Sequence, residues 1–171
     1  MSTGPGSRSK NLKIDFSLNG KKVSIDTLPE KRLIDVIRED FGLMTTKNAC
    51  YSGECGSCIV QLEGQPVPAC QIPVFTVRAK RIITIEGFMG TEKYLDIINA
   101  FNDMKCIPCP FCFTGKIMAV DSLIDNQRSP DTSEIMSLLS DHSCSCTSVT
   151  SFINGVKVAY QNREFRGEML K

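Results

Sequence analysis

The sequence predicts an α+β protein in two parts, a small β-sheet domain followed by an all-helical domain. Two observations indicate this division. Apolar residues alternate with the period of strands in the first half and recur every three to four residues after about residue 90. Eight of the nine cysteines also form two sets of four, one set in each half. A length of 171 residues suits two domains of this size.

The first half carries the signals of a sheet covered by one helix. Leu12 to Leu18 alternates apolar and polar residues, Asn19-Gly20 is a strong hairpin signal, and Val23 to Ile25 predicts the returning strand. Further strands are predicted at Ser57 to Leu62 and at Arg81 to Ile85. Residues at helical spacing predict one helix with a left-handed glycine cap: Leu33, Val36, Ile37, Phe41 and the cap Gly42.

The second half contains four helical stripes beyond a domain boundary that we place at Gly87 to Gly90. Thr91 is the predicted N-cap of the first helix, and Asp131 or Thr132 is that of the third, after a break at Ser129-Pro130. We therefore predict domains at 11–88 and 89–165, with tails at 1–10 and 166–171. The stripes, interpreted as core faces, are Tyr94, Ile97, Ile98 and Phe101; Ile117, Val120 and Ile124; Ile135, Leu138 and Leu139; and Val149, Phe152, Ile153, Val156 and Tyr160.

The first cysteine set has the C-x4-C-x2-C spacing of plant-type ferredoxins. It consists of Cys50, Cys55, Cys58 and Cys70. Three ligands on one tight loop can surround a [2Fe–2S] cluster, and Gly53 and Gly56 allow backbone amides to approach it. A disulfide framework is the alternative, but the chain shows no export signal. The set therefore predicts a [2Fe–2S] site.

The second set is a C-x2-C pair followed after 31 residues by C-x-C. It consists of Cys109, Cys112, Cys144 and Cys146. This spacing by itself suits a structural zinc ion as well as an iron–sulfur cluster. The neighbouring ferredoxin-type site favours a second [2Fe–2S] cluster, because one cluster commonly feeds another. Both pairs precede predicted helices, whose N-terminal amides can offset the negative charge of the thiolates.

Composition and motifs indicate electron transfer without a substrate site in this chain. A formal net charge of +1 argues against nucleic acid as a partner, and no apolar run is long enough for a membrane span. There is no GxGxxG fingerprint, no P-loop and no nucleophile paired with a base, so no catalytic residue is predicted. Cysteines grouped as cluster ligands fit a reducing compartment, and the cytoplasm is the expected location.

The motifs together resemble the small iron–sulfur subunit of the molybdenum hydroxylases, the xanthine dehydrogenase and aldehyde oxidase family. The resemblance runs from about Lys13 onward, with all eight cysteines in register. The stretches that carry it are Leu33 to Leu43 (LIDVIREDFGL), Cys50 to Val60 (CYSGECGSCIV), Gly64 to Cys70 (GQPVPAC), Ile83 to Gly87 (ITIEG), Gly115 to Met118 (GKIM) and Cys144 to Thr147 (CSCT).

The resemblance implies a ferredoxin-like β-grasp domain and a four-helix domain, each holding one [2Fe–2S] cluster. It further implies a large partner subunit with molybdopterin, which hydroxylates the substrate, and a partner subunit with FAD. Electrons would pass from molybdenum to the helical-domain cluster, then to the ferredoxin-domain cluster, then to FAD. The resemblance leaves the substrate open among purines, aldehydes, nicotinate-like heterocycles and aromatic thioesters, with xanthine or another purine as the expectation by analogy. The expected assembly is a dimer of heterotrimers.

The chain departs from the family pattern around the second set. The family has a Gln that contacts the pterin before the first cysteine, and Pro108 stands there with no amide donor. After Cys112, where the family has Thr-Pro-Gly, this chain has Phe113-Thr114-Gly115. Ser145 replaces the family's Arg between the last two cysteines, and Thr147-Ser148-Val149 replaces its Thr-Gly-Tyr. A divergent molybdenum subunit, or a partner without the usual cofactor, would explain these differences.

Two further residues lie close to the second set in sequence. His142 is expected to be a partly exposed loop residue. The alternatives are that it donates a hydrogen bond to the site or that it replaces a cysteine as a ligand. Cys106 makes a C-x2-C-x2-C run with Cys109 and Cys112, but its register predicts a buried free thiol.

Two other functions remain open from the sequence. One is a ferredoxin-like iron–sulfur adaptor for a flavin oxidoreductase that contains no molybdenum. The other is a one-cluster protein whose helical half holds structural zinc.

Overall fold

The first half of the chain forms a five-stranded mixed sheet in a computed structural model that describes residues 10–125 and 128–169. The spatial strand order is β2-β1-β5-β3-β4, with β1 parallel to β5 and the other neighbours antiparallel. This arrangement confirms the predicted β-grasp sheet. The strands are β1 (Leu12–Leu18), β2 (Lys21–Thr27), β3 (Ile59–Leu62), β4 (Gln65–Pro68) and β5 (Arg81–Ile83).

The predicted strands are confirmed with small changes at their ends. Asn19 and Gly20 take φ values of 51° and 80°, as a two-residue hairpin between β1 and β2 requires. β3 begins at Ile59 rather than at residue 57, because the chain is still turning out of the cysteine loop. β5 ends at Ile83, since the Thr84 amide donates to the Asn19 side chain at 2.8 Å and leaves the sheet.

One helix covers the sheet, as predicted. It begins with α1 (Leu33–Asp35), continues as a π-helical turn over Val36–Asp40, and is followed by Gly42 with φ of 67°. Its apolar residues are buried with those of β1, β3 and β5 in the first of two cores. The core therefore lies between this helix and the sheet.

The second half is helical, and the four predicted long helices are confirmed. Thr91 caps its helix by accepting the Tyr94 amide at 3.2 Å, and Asp131 rather than Thr132 caps the third in a capping box with Glu134. A short helix not predicted from the sequence precedes them. The helices are α2 (Ile85–Phe88), α3 (Glu92–Asp103), α4 (Phe113–Ile124), α5 (Thr132–Ser140) and α6 (Val149–Met169).

The last helix is longer than the sequence predicts. α6 continues to Met169, so 166–169 is helix and not a tail. Arg166 donates to the buried carboxylate of Asp96 at 2.7 Å, which fixes this last part of α6 against α3. The predicted tail over residues 1–9 and the final residues 170–171 lie outside the described residues.

The two halves meet where β3 packs against α4. The Gln61 side chain of β3 donates to the Asp121 carboxylate of α4 at 2.6 Å, and both side chains are buried. The predicted boundary at 87–90 stays a prediction, although α2 already packs in the helical core. Among the described residues, no helix is both long and apolar enough to cross a membrane.

Candidate metal centres

The first cysteine set lies on the loop before β3 and on the turn after β4. Cys50 and Cys55 are on the loop, with Cys50 exposed, and Cys58 is buried at the point where the loop enters the core. Cys70 is buried opposite, in the single helical turn Ala69–Gln71. The Ala69 amide donates to the Cys58 carbonyl at 3.1 Å, so the closing ligand is attached to the same strand pair as the loop.

Neutral donors surround the thiols of this first set. Hydrogen bonds from Ser52 and from the Cys55 amide lower the pKa of Cys50 to about 5, and the Ser52 amide lies 3.4 Å from its Sγ. The Gln71 amide lies 3.5 Å from Cys70 Sγ while donating to the Tyr51 carbonyl at 2.7 Å. Burial raises the pKa of Cys58 to about 12. One thiol of this site is therefore readily ionised and another is not.

The second set comes from two segments that each lead into a helix. Cys109 and Cys112 lie at the start of α4, with Cys112 as its N-cap residue, and Cys144 and Cys146 lie in the segment that leads into α6. The four Sγ atoms lie within 4.8 Å of one another, and no other group of three or more such ligands occurs in residues 10–125 and 128–169. The structure thus brings together the four thiols that the spacing predicts.

Distances within this quartet are short. Cys109 Sγ lies 3.6 Å from that of Cys112 and 3.9 Å from that of Cys144, while Cys112 and Cys146 Sγ are 3.2 Å apart. The Cys109 amide also donates to Cys146 Sγ at 3.3 Å. Amides of Cys112 and Phe111 lower the pKa of Cys109 to about 6, whereas burial raises that of Cys112. Each site therefore combines a thiol of lowered pKa that is not fully buried with a buried thiol of raised pKa.

Both sets offer the donor chemistry of an iron–sulfur cluster, four free thiols each, and the second quartet includes no carboxylate or imidazole. Only the second set has its four Sγ atoms gathered within 4.8 Å of one another; the structure does not bring those of the first set into such a group. Sulfur-only sets of four suit [2Fe–2S] clusters and, for a single ion, zinc. In the first loop Gly53 and Gly56 take φ values of 85° and 69°, a conformation that would be strained with a side chain. The space that a side chain would need is taken by the Gln71 side chain beside Gly53 and by His142 beside Gly56.

The two sites are joined by a direct backbone contact. A Cβ placed on Gly115, in the first turn of α4, would overlap the carbonyl oxygen of Gly56 in the first cysteine loop. Beside it, the Thr114 hydroxyl donates to the Thr45 carbonyl at 3.1 Å. The loop that carries Cys55 and the first turn of α4, which Cys112 precedes, therefore touch without a side chain between them.

His142 fills the space beside this contact, and its predicted exposure is wrong. The residue is only 5% exposed, and its Nδ1 donates to the Leu138 carbonyl at 2.8 Å. The imidazole packs against Gly56 and Gly115, whose missing side chains make room for it. Burial lowers its pKa. His142 is not among the grouped sulfur ligands, so it packs between the two sites instead of binding metal in the second.

Cys106 is a buried free thiol, as predicted. It is 1% exposed and lies outside the quartet. Burial raises its pKa to about 11. A Cβ on Gly155 of α6 would come within 2.5 Å of its Sγ, so the thiol packs closely against that helix. Cys106 therefore behaves as a small core residue.

Lys116 is the residue of this region that sequence reasoning did not single out. Its side chain is fully buried one turn into α4, with Nζ 3.2 Å from the Cys144 carbonyl and 3.9 Å from Cys146 Sγ. A signal was present, because Lys116, Val120 and Ile124 recur every four residues on one apolar stripe. Lysine is almost never fully buried unless it is paired, so a lysine in such a stripe indicates an anionic partner.

Comparison with known proteins identifies both halves. The model of the 2Fe-2S iron-sulfur cluster binding domain matches residues 16–75, which include the first set. The model of the [2Fe-2S] binding domain matches residues 84–157, which include the second set. Sulfur ligands of [2Fe–2S] type are therefore favoured over zinc in the helical half.

Similar proteins are subunits of oxidoreductases. The nicotinate dehydrogenase small FeS subunit of Eubacterium barkeri is 35% identical over 150 residues, covering 88% of this chain and 96% of that protein. The xanthine dehydrogenase iron-sulfur-binding subunit of Escherichia coli O157:H7 is 29% identical over 86% of this chain and 94% of its own length. In the crystal structure of quinoline 2-oxidoreductase from Pseudomonas putida 86, a chain superposes with a TM-score of 0.80 at 28% identity, covering 91% of this chain and 98% of that one.

Proposed function

The chain belongs to the family of small iron–sulfur subunits of the molybdenum hydroxylases, and from that premise we propose that it relays electrons from a molybdopterin subunit to an FAD subunit. We assign one cluster to each cysteine set. Bound there, the two [2Fe–2S] clusters would supply reversible one-electron transfer. The proposed ligands are Cys50, Cys55, Cys58 and Cys70 in domain 11–88, and Cys109, Cys112, Cys144 and Cys146 in domain 89–165.

The observation that carries this proposal is the contact between Gly56 and Gly115. Gly56 lies between two thiols of the first set, and Gly115 lies three residues after Cys112 of the second. The loop of the first set is thus in direct contact with the first turn of the helix that follows the first pair of the second set. The buried imidazole of His142 packs beside this contact. Such close packing supports direct electron transfer between the sites without a further carrier.

Exposed apolar side chains near the second set support a partner subunit at that end. Ile107, Phe111 and Val149 are 40%, 51% and 48% exposed, and each lies within three residues of a thiol of this set. Pro108 is buried beside them, so the side of the site where the family places a pterin contact offers apolar surface instead. We propose that this end faces the molybdopterin subunit and that the first set faces the FAD subunit.

We propose a nitrogen heterocycle as the substrate of the complex. The names of similar proteins include nicotinate, xanthine, quinoline and isoquinoline, all ring compounds of this class, beside aldehyde oxidases and oxidoreductases. The purine expected from the sequence is one member of this class. Recognition of the individual substrate would belong to the molybdopterin subunit, because the sequence predicts no catalytic residue in this chain. The need for reduced thiols supports the cytoplasm as its location.

The test is to purify the complex anaerobically from its host through a tag on this chain. The same preparation is assayed for iron, zinc, acid-labile sulfide, molybdenum and FAD, and its EPR spectrum is recorded after dithionite reduction. We expect about four irons per chain and two distinct [2Fe–2S] signals, together with molybdenum and FAD.

Two other results would contradict the proposal. About two irons with one zinc per chain would place zinc in the helical half and remove the relay. Four irons with flavin but no molybdenum would identify the adaptor of a non-molybdenum flavin oxidoreductase.

A further inference from the structure

A fully buried ammonium group distinguishes the second site from the first. Lys116 has no solvent exposure, and its Nζ donates to the Cys144 carbonyl at 3.2 Å. It lies 3.9 Å from Cys146 Sγ and 5.4 Å from the centre of the Phe152 ring. These neighbours hold the positive charge at one side of the thiol quartet.

The positive charge of Lys116 is not paired with a carboxylate in the described residues. In the parts of the chain that the structure describes, no Asp or Glu oxygen lies within ion-pair distance of Lys116. Burying an unpaired ammonium group is strongly unfavourable, so an anion must balance it. The thiolates of the second set are the anions at hand.

In the described residues, no lysine or arginine hydrogen bond to a thiol of the first set is present. The polar groups that contact its thiols are the Ser52 backbone amide at 3.4 Å from Cys50 Sγ and the Gln71 side-chain amide at 3.5 Å from Cys70 Sγ, both neutral. The Arg32 guanidinium stacks instead over the Tyr51 ring, 4.8 Å from its centre. Equal clusters bound at the two sites would therefore experience different electrostatic potentials.

We propose that Lys116 raises the reduction potential of the cluster held by the second set. Reduction adds one electron and no proton, so the site gains one negative charge, and a buried cation beside it stabilises the reduced form. The electron comes from the reduced molybdopterin subunit in the complex and from dithionite in the test. Lys116 thus makes the second cluster a better acceptor for the electron that leaves the molybdopterin subunit. The inference rests on the proposed function, because it requires a cluster at the second set.

The test is an EPR-monitored redox titration of the anaerobically purified complex with four single variants. K116M keeps a similar volume and K116Q a polar group, and both remove the charge. K116R keeps the charge, and K21Q removes one lysine charge from the exposed β1–β2 hairpin. The signal of the second cluster is identified by its absence in C112A.

We expect K116M and K116Q to shift the reduced-to-oxidised ratio of the second cluster at least about tenfold toward the oxidised form. A tenfold shift equals a fall of about 59 mV for a one-electron couple. K116R should shift much less, K21Q should not shift, and the first cluster should keep its midpoint in all variants.

Three outcomes would overturn the inference. One is an unchanged second midpoint in K116M and K116Q; another is an equal shift of both clusters, which would indicate a global change. The third is loss of the second signal in both variants with retention in K116R, which would assign Lys116 to assembly instead. Failure of the proposed function would be distinguishable, because the complex without substitutions would then show only one [2Fe–2S] EPR signal.

Discussion

The two cysteine sites hold the same kind of donor set but are built in different ways. Three thiols of the first lie on one loop, and neutral amide and hydroxyl groups surround them. The second is closed between the start of α4 and the segment before α6, with Cys112 and Cys146 34 positions apart, and a buried lysine lies beside it. The comparison shows that a sulfur site can be formed by local chain geometry or by tertiary packing.

The difference extends to the cores around the sites. The first core consists of apolar side chains and two cysteines between the sheet and α1. The helical half instead buries a charged network in which Arg163 pairs with Asp121 at 2.7 Å and with Asp96 at 3.4 Å. Long-range ionic contacts therefore help to align the helices that carry the second set.

Removal of one ligand from each site should have the largest effect. C58A should abolish the first EPR signal and C112A the second, each with loss of about half of the iron. Both cysteines are buried, so the two variants are matched. C112A should also lower the unfolding temperature slightly more, because its cluster closes a loop nearly twice as long (Cys109 to Cys146 against Cys50 to Cys70), worth about 0.5 kcal/mol.

A second signal that survives in C112A would contradict this assignment and indicate Cys106 as a replacement ligand. C106A is the control, since a packed free thiol can be truncated with both signals retained. Iron analysis and EPR on the same samples distinguish these results.

Removal of the buried Arg163 guanidinium from the helical core should have the next largest effect, on the free energy of unfolding. R163M leaves Asp96 and Asp121 buried without their shared partner, which should lower the free energy of unfolding by about 3–5 kcal/mol. Urea denaturation followed by circular dichroism measures this change. R128M is the control, because Arg128 pairs with Glu134 on the surface and its removal should leave the curve unchanged within error. A small effect of R163M would mean that Arg166, 2.7 Å from Asp96, and Gln61, 2.6 Å from Asp121, satisfy the two carboxylates without Arg163.

A methyl group at the contact between the sites should have a smaller but diagnostic effect. G115A would place Cβ against the Gly56 carbonyl, and overpacking of this kind lowers the free energy of unfolding by about 1–3 kcal/mol. G167A in α6 is the control, because a Cβ there meets nothing within 4 Å and alanine favours a helix by up to about 1 kcal/mol. Opposite signs in thermal denaturation are expected. A stabilising G115A would show that the two sites are not in contact.

Much of the fold followed from local signals. The Asn19-Gly20 hairpin, the Thr91 and Asp131 caps and the four helical stripes need only neighbouring residues, and the structure confirms them. The errors concern ends and long-range contacts. The strand predicted through residue 85 stops at Ile83 because Asn19, 65 positions earlier, binds Thr84, and α6 extends to Met169 because Arg166 reaches Asp96 of α3.

The same division holds for the sites. Thiol spacing by itself predicted two sets of four cysteines, because ligand spacing on a loop or helix end is a local property of the chain, and the structure gathers the four thiols of the second set. Only the tertiary structure decided that His142 is buried, that Gly56 touches Gly115, and that the ammonium of Lys116 lies against the second set. These facts depend on how α4 packs against the first loop and against the segment before α6. Such packing brings together residues far apart in sequence, and no short pattern encodes it.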